Sequence, residues 1–190
     1  MVGVARTRVG YAGGTTEDPT YRTIGDHTET TQIEFDPMVV AYEDLLAVFW
    51  AAHTPTKAAP SRQYASLIFT HDLEQAALAD DARRAVEARL GPVHTQIRPL
   101  ERFCVAEDYH QKYRLRGNPI LSREFNAMYP DPADLRESTA AARINGYLDG
   151  WGTSSELEVE IASFGLSAEG RAELRRAVGS RADRGEGCVT

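Results

Sequence analysis

Residues 4–11 alternate and are β-branched enough to form a strand, which Gly13-Gly14 ends. Residues 29–35 alternate again, with Thr31, Ile33 and Phe35 on one face and Thr30, Gln32 and Glu34 on the other. By the same parity Glu29 falls on the face of Ile33 and Phe35, which sets an acid at the mouth of an apolar surface. Between the two strands, residues 15–28 form a polar loop with a turn signal at Asp18-Pro19. Tyr42, Leu45, Leu46, Phe49 and Trp50 then recur at helical spacing, so Phe49 and Trp50 are assigned to the core.

Pro55 and Pro60 bracket a loop, residues 64–69 read as a short strand, and residues 72–90 as a long helix closed by Gly91-Pro92. A fourth strand is predicted over 93–97, with 103–105 as a weaker continuation. Beyond Ala106 the pattern turns helical, over 107–113, 122–128 and 131–148, with Pro132 in a favourable first turn. Gly150-Trp-Gly152 breaks the last of these, and residues 156–163 fit either strand or helix. Ser167 is positioned to cap a final helix to Val178, before a stretch rich in Gly and charge. Strand, strand, helix, strand, helix, strand is the order of an α+β sandwich. The expected division is a domain over 1–150 and a helical extension with a tail over 151–190.

Composition narrows the chemistry. With 190 residues, 42% of them apolar and 26% charged, the chain has the make-up of an ordinary soluble domain. A net charge of -7 opposes non-specific attraction to nucleic acid or anionic membranes. No apolar run approaches the ~20 residues of a membrane span, and the first residues lack the apolar core of a signal peptide. A cytoplasmic location, without nucleic-acid or membrane partners, is the default expectation. Two cysteines, Cys104 and Cys188, support neither a disulfide framework nor a four-cysteine zinc site. His27-Thr-Glu29 has the His-x-Glu spacing of zinc deaminases, but no Pro-Cys-x-x-Cys completes that ligand set. Glycine-rich phosphate loops are absent from the sequence as well.

Three blocks carry a resemblance: Val9-Gly-Tyr-Ala-Gly-Gly14, then Asp18-Pro-Thr-Tyr21 with His27-Thr-Glu29, then Ala106-Glu-Asp-Tyr-His-Gln-Lys112. Together they resemble the type A peptide methionine sulfoxide reductase family, from residue 1 to about 130 and more weakly through Arg143-Ile-Asn-Gly-Tyr147. The resemblance implies a two-layer α+β sandwich with a ferredoxin-like mixed sheet. It implies an enzyme that reduces methionine S-sulfoxide, free or in proteins, with no bound cofactor. The reductant would be an external dithiol such as thioredoxin, and the enzyme a monomer. In that family a thiolate attacks the sulfoxide sulfur and a second thiol resolves the sulfenic acid. Two tyrosines and an acid hold the oxygen, and their positions match Tyr21, Tyr64 and Glu29 here. A Glu29 carboxyl desolvated against Ile33 and Phe35 is expected to keep its proton near neutral pH and donate it to that oxygen. Glu107 and Asp108 are expected beside a helix start, and His110 in a structural role.

Departures from the family pattern are equally specific. The Gly-Cys-Phe-Trp-Gly nucleophile motif and the first strand are missing, and are expected upstream in a strand ending in Cys or selenocysteine. Ala59 stands where the family has an acid, Ala65 where it has an arginine, and Thr28 where it has an alanine. Cys104, between Phe103 and Val105, reads as an inert apolar thiol. Cys188 is similar to the family's mobile resolving cysteines. The rival expectation is a non-catalytic homologue that binds methionine sulfoxide or a protein partner.

Overall fold

The computed structural model describes residues 1–182. It divides into two units, residues 9–107 and residues 3–8 with 108 onward.

The strands fall into two sheets, which lie mainly in residues 9–107. One has the order β2-β1-β5, formed by β1 (Val4–Ala12), β2 (Thr28–Phe35) and β5 (Phe103–Val105). β1 and β5 run antiparallel, with Gly10 opposite Val105, Tyr11 opposite Cys104 and Ala12 opposite Phe103. Gly10 is required there, because a Cβ would lie 2.3 Å from the Cys104 carbonyl oxygen. The other sheet is a parallel pair, β3 (Leu67–Thr70) and β4 (Gln96–Pro99). A parallel pair needs a long crossover, and α2 (Leu73–Leu90) supplies it. Asp72 caps its first turn by accepting from the Gln75 amide at 2.7 Å. α1 (Tyr42–Ala51) packs with α2 over a core of Leu46, Trp50, Ile68, Ala79 and Val86, which Phe49 and Ile97 join. The helical spacing of Phe49 and Trp50 therefore does mean core.

Two strand boundaries differ from those predicted. The strand expected over 64–69 begins at Leu67, since residues 62–64 form a 3₁₀ turn, Arg62–Tyr64. The Ala65 amide closes that turn on the Arg62 carbonyl at 3.1 Å. The strand expected over 93–97 is displaced to 96–99, since the His94 amide bonds the Pro55 carbonyl at 2.8 Å rather than a strand neighbour.

The second unit is mainly helical: α3 (Tyr113–Arg116), α4 (Pro119–Met128), α5 (Pro132–Glu137), α6 (Thr139–Leu148), α7 (Ser154–Glu160) and α8 (Ala168–Ala182). Its core joins Leu115, Leu121, Phe125 and Ile144 to Leu157, Phe164 and Leu174, so residues on both sides of position 150 share it. The helix expected over 131–148 is two helices. Ser138 takes an extended backbone between them and caps the second through the Ala141 amide at 3.1 Å. The ambiguous 156–163 segment is helical, fixed by a capping box between Thr153 and Glu156. The helix expected over 107–113 is only a 3₁₀ turn, Asp108–His110. Lys112 adopts a left-handed conformation that ends it, and its ammonium donates to the Thr7 carbonyl at 2.5 Å. Burial pushes the Lys112 pKa down to about 8. No helix among the described residues is long and apolar enough to cross a membrane.

Candidate active site

The loop after β1 is tied by its own polar groups. The Asp26 carboxylate accepts from the Thr15 amide at 2.9 Å, the Thr16 amide at 3.1 Å and both threonine hydroxyls at 3.0 Å. Those donors hold its pKa well below the ordinary carboxylate range. His27 is buried, with Nδ1 accepting from the Gly14 amide at 3.2 Å and Nε2 donating to the Thr16 carbonyl at 2.9 Å. A Cβ on Gly14 would lie 2.6 Å from Asp26 Oδ1, so this closure depends on the glycine. Asp26 does not emerge from the sequence reading. Its signal is the Thr15-Thr16 pair, whose amides and hydroxyls can converge on one acid.

The next tie brings the site together. The buried Thr28 hydroxyl donates to the Arg62 carbonyl at 2.9 Å. The Arg62 guanidinium in turn donates to the carbonyls of Gly13 and Asp26, each at 3.2 Å. These bonds seat the Arg62–Tyr64 turn beside the first residues of β2. From that turn Gln63 Nε2 donates to Glu29 Oε1 at 2.7 Å. The Tyr64 pKa is raised, first by the neighbouring Tyr21 phenol and next by the neighbouring Glu29 carboxyl. Tyr21, Glu29 and Tyr64, distant in sequence, thus meet as one cluster.

The cluster lies open. Tyr21 is 44% exposed, Tyr64 is 53% exposed, and Glu29 is exposed on an edge strand. Ile33, expected to desolvate Glu29, is itself 40% exposed, so the greasy shield inferred from strand parity does not close over the acid. Glu107 also departs from expectation. It directly precedes the short 3₁₀ turn Asp108–His110 instead of a longer helix, and its Oε2 accepts from the buried Tyr11 hydroxyl at 2.8 Å and its Oε1 from the Tyr21 amide at 3.1 Å.

Of the two thiols, Cys104 lies on β5 and is partly exposed, with Arg102 Nε donating to its Sγ at 3.0 Å. Arg102 also pairs with Asp18 at 3.5 Å. The inert apolar setting expected for this thiol is therefore replaced by a polar one. Cys188 lies outside the described residues. Among the described residues no three His, Cys, Asp or Glu side chains converge as a metal site requires.

Comparisons with known proteins bear on the family of the chain as a whole. The family model described as peptide methionine sulfoxide reductase matches residues 1–141. A Drosophila melanogaster peptide methionine sulfoxide reductase is 43% identical over 172 residues, covering 87% of this chain and 67% of the relative. Peptide methionine sulfoxide reductase A5 of Arabidopsis thaliana is 40% identical over 152 residues, 76% of this chain and 59% of the relative. The chain thus spans about two thirds or less of these relatives' own length. Among solved structures, reduced Mxr1 of Saccharomyces cerevisiae superposes with a TM-score of 0.57 at 26% identity, covering 62% of this chain and 73% of that one. Methionine sulfoxide reductase A of Corynebacterium diphtheriae superposes with a TM-score of 0.54 at 34% identity, covering 62% and 66%. An α+β fold, three matched sequence blocks and a family match over three quarters of its length lead to one assignment: the chain belongs to the peptide methionine sulfoxide reductase family.

Proposed function

We propose that this protein acts in the reduction of methionine S-sulfoxide in peptides and proteins, with Tyr21, Glu29 and Tyr64 holding the sulfoxide oxygen. The observation that carries the proposal is that Gln63, in the turn that bears Tyr64, donates to Glu29 Oε1 at 2.7 Å, with Tyr21 and Glu29 near enough to Tyr64 to raise its pKa. A sulfoxide oxygen is a strong acceptor, and two phenols and a carboxylic acid are suitable donors. The raised pKa keeps the Tyr64 proton in place, so its hydroxyl is available to donate. Proton transfer to that oxygen through Glu29 makes the sulfoxide sulfur more open to attack by a thiol. Because the cluster is open, the shielding of this step comes from the bound substrate's own apolar side chain rather than from Ile33.

The thiol steps balance as follows. A thiol takes the oxygen from the sulfoxide, leaving methionine and a sulfenic acid. A second thiol condenses with the sulfenic acid, forming a disulfide and water. An external dithiol of the thioredoxin kind then reduces the disulfide. Cys188 is the proposed resolving thiol, and the proposed attacking thiol is that of the family's Gly-Cys-Phe-Trp-Gly motif. The second reading, a homologue that binds methionine sulfoxide without turning it over, is favoured by one specific observation. Within the matched residues 1–141, Ala59 stands where the family pattern has an acid.

The test is reduction of a dabsylated methionine sulfoxide by dithiothreitol. It is run on the 190-residue chain and on the same chain joined to an N-terminal segment bearing Gly-Cys-Phe-Trp-Gly. Turnover of the S epimer, and not the R epimer, by the extended protein is the expected result. Binding without turnover in the extended protein would establish the second reading.

A further inference from the structure

We infer that Glu107 is a positioning residue for Tyr21, setting the height at which that phenol meets the sulfoxide oxygen. The inference rests on the methionine sulfoxide reading above. Glu107 follows β5 by two residues, and the Ala106 amide next to it bonds the Val9 carbonyl of β1 at 3.0 Å. Its backbone is therefore tethered beside the sheet. Its Oε2 is fixed by the hydroxyl of Tyr11, which is 2% exposed and paired opposite Cys104 in the ladder. A carboxylate so anchored leaves Oε1 pointing at one place, and the Tyr21 amide occupies it at 3.1 Å.

The surrounding loop explains why this bond matters. Asp26 and His27 tie the loop's ends together through residues 14–16, and Thr20 and Thr23 close a small turn at 3.1 Å. Those are bonds within the loop. The Glu107 bond is one that runs from the middle of the loop to the sheet, so it transmits the sheet's rigidity to Tyr21. A charge-assisted acceptor serves this role better than a neutral one, being shorter and stronger. Glu107 acts through the placement of the Tyr21 hydroxyl.

Glutamine is an informative substitute. Its amide oxygen can accept from the Tyr21 N–H, while its NH₂ can donate to the Tyr11 oxygen, whose hydroxyl hydrogen rotates away. Alanine and methionine offer neither contact.

The experiment is calorimetric titration of N-acetyl-methionine-S-sulfoxide methylamide into the wild type and four variants. These are Glu107→Ala, Glu107→Gln, Tyr21→Phe and the Glu107→Ala, Tyr21→Phe double variant. Glu107→Ala and Tyr21→Phe are each expected to weaken binding roughly tenfold, with Glu107→Gln staying within about threefold of the wild type. The double variant is expected to bind no more weakly than Tyr21→Phe, because Glu107 acts only through that hydroxyl. A merely structural Glu107 would instead multiply the two losses, which overturns the inference, as does wild-type affinity in Glu107→Ala. Wild-type affinity in Tyr21→Phe overturns the sulfoxide site itself, and the inference with it. Should Glu107→Ala fail to fold, Glu107→Met keeps the side-chain length, removes both acceptors and carries the same expectations.

Discussion

Gln63 Nε2 donates to Glu29 Oε1 across 2.7 Å, so the turn that carries Tyr64 also orients the acid on β2. Tyr64 and Glu29 are thereby set by one short segment instead of two independent ones. Gln63→Leu leaves the carboxylate free to rotate into solvent. A single partly exposed hydrogen bond to a charged group is worth about 1 kcal/mol, so sulfoxide binding is expected to weaken ~5-fold with little change in thermal stability. Paired calorimetric titration and thermal melts check this; equal loss of both would make Gln63 a folding residue.

Thr28→Val tests the tie beneath the site. The Thr28 hydroxyl is buried and bonds the Arg62 carbonyl at 2.9 Å, and valine fills the same volume without the donor. The expected cost is about 1–2 kcal/mol of stability, seen as a lower urea midpoint with an unchanged slope. Thr28→Ser, which keeps the hydroxyl, is expected to recover most of it.

Lys112 makes stability depend on alkaline pH. Its folded pKa is lowered to about 8 from 10.5, chiefly by burial. Between those values the unfolded ammonium keeps a proton that the folded one has released, so stability rises with pH across the window. Lys112→Met lacks this rise. The difference in urea midpoint between wild type and Lys112→Met is therefore expected to move in favour of the wild type from pH 8 towards pH 10; a constant difference contradicts it.

Glu137 works at the acid end. The guanidinium of Arg8, at 2.8 Å from Oε1, leads a set with Arg6 and Arg136 that holds the Glu137 pKa at about 2 against an ordinary 4.5. A lowered carboxyl pKa means stabilisation that is complete above 4.5 and lost as pH falls through 2. Glu137→Gln is expected to be less stable than wild type at neutral pH, with the gap closing between pH 4.5 and 2. Acid titrations of both proteins followed by far-UV circular dichroism measure that gap.

Periodicity made β1, β2, α1 and α2 legible, since each buries a face whose spacing is local. It overran at Tyr64 and Ser138, where a single hydrogen bond, to the Arg62 carbonyl and to the Ser138 hydroxyl respectively, sets the boundary. Tyr21, Glu29 and Tyr64 are expected from the family resemblance alone, and the fold brings them near one another. Strand parity named the right face for Glu29 but could not reveal that the face stays exposed, because burial depends on what packs against it. Glu107 was visible as a motif residue; its partners Tyr11 and Tyr21 lie 96 and 86 residues away in the sequence, beyond any local pattern.

The central claim is that the Tyr21, Glu29 and Tyr64 cluster recognises the oxygen of a sulfoxide. Its most direct test compares the affinity of one protein for blocked methionine S-sulfoxide and for blocked methionine, which differ by that oxygen alone. The wild type is predicted to favour the sulfoxide by at least about tenfold, and Tyr21→Phe, Tyr64→Phe together to abolish the preference. Equal affinities in the wild type, or a preference that survives both substitutions, would contradict the claim.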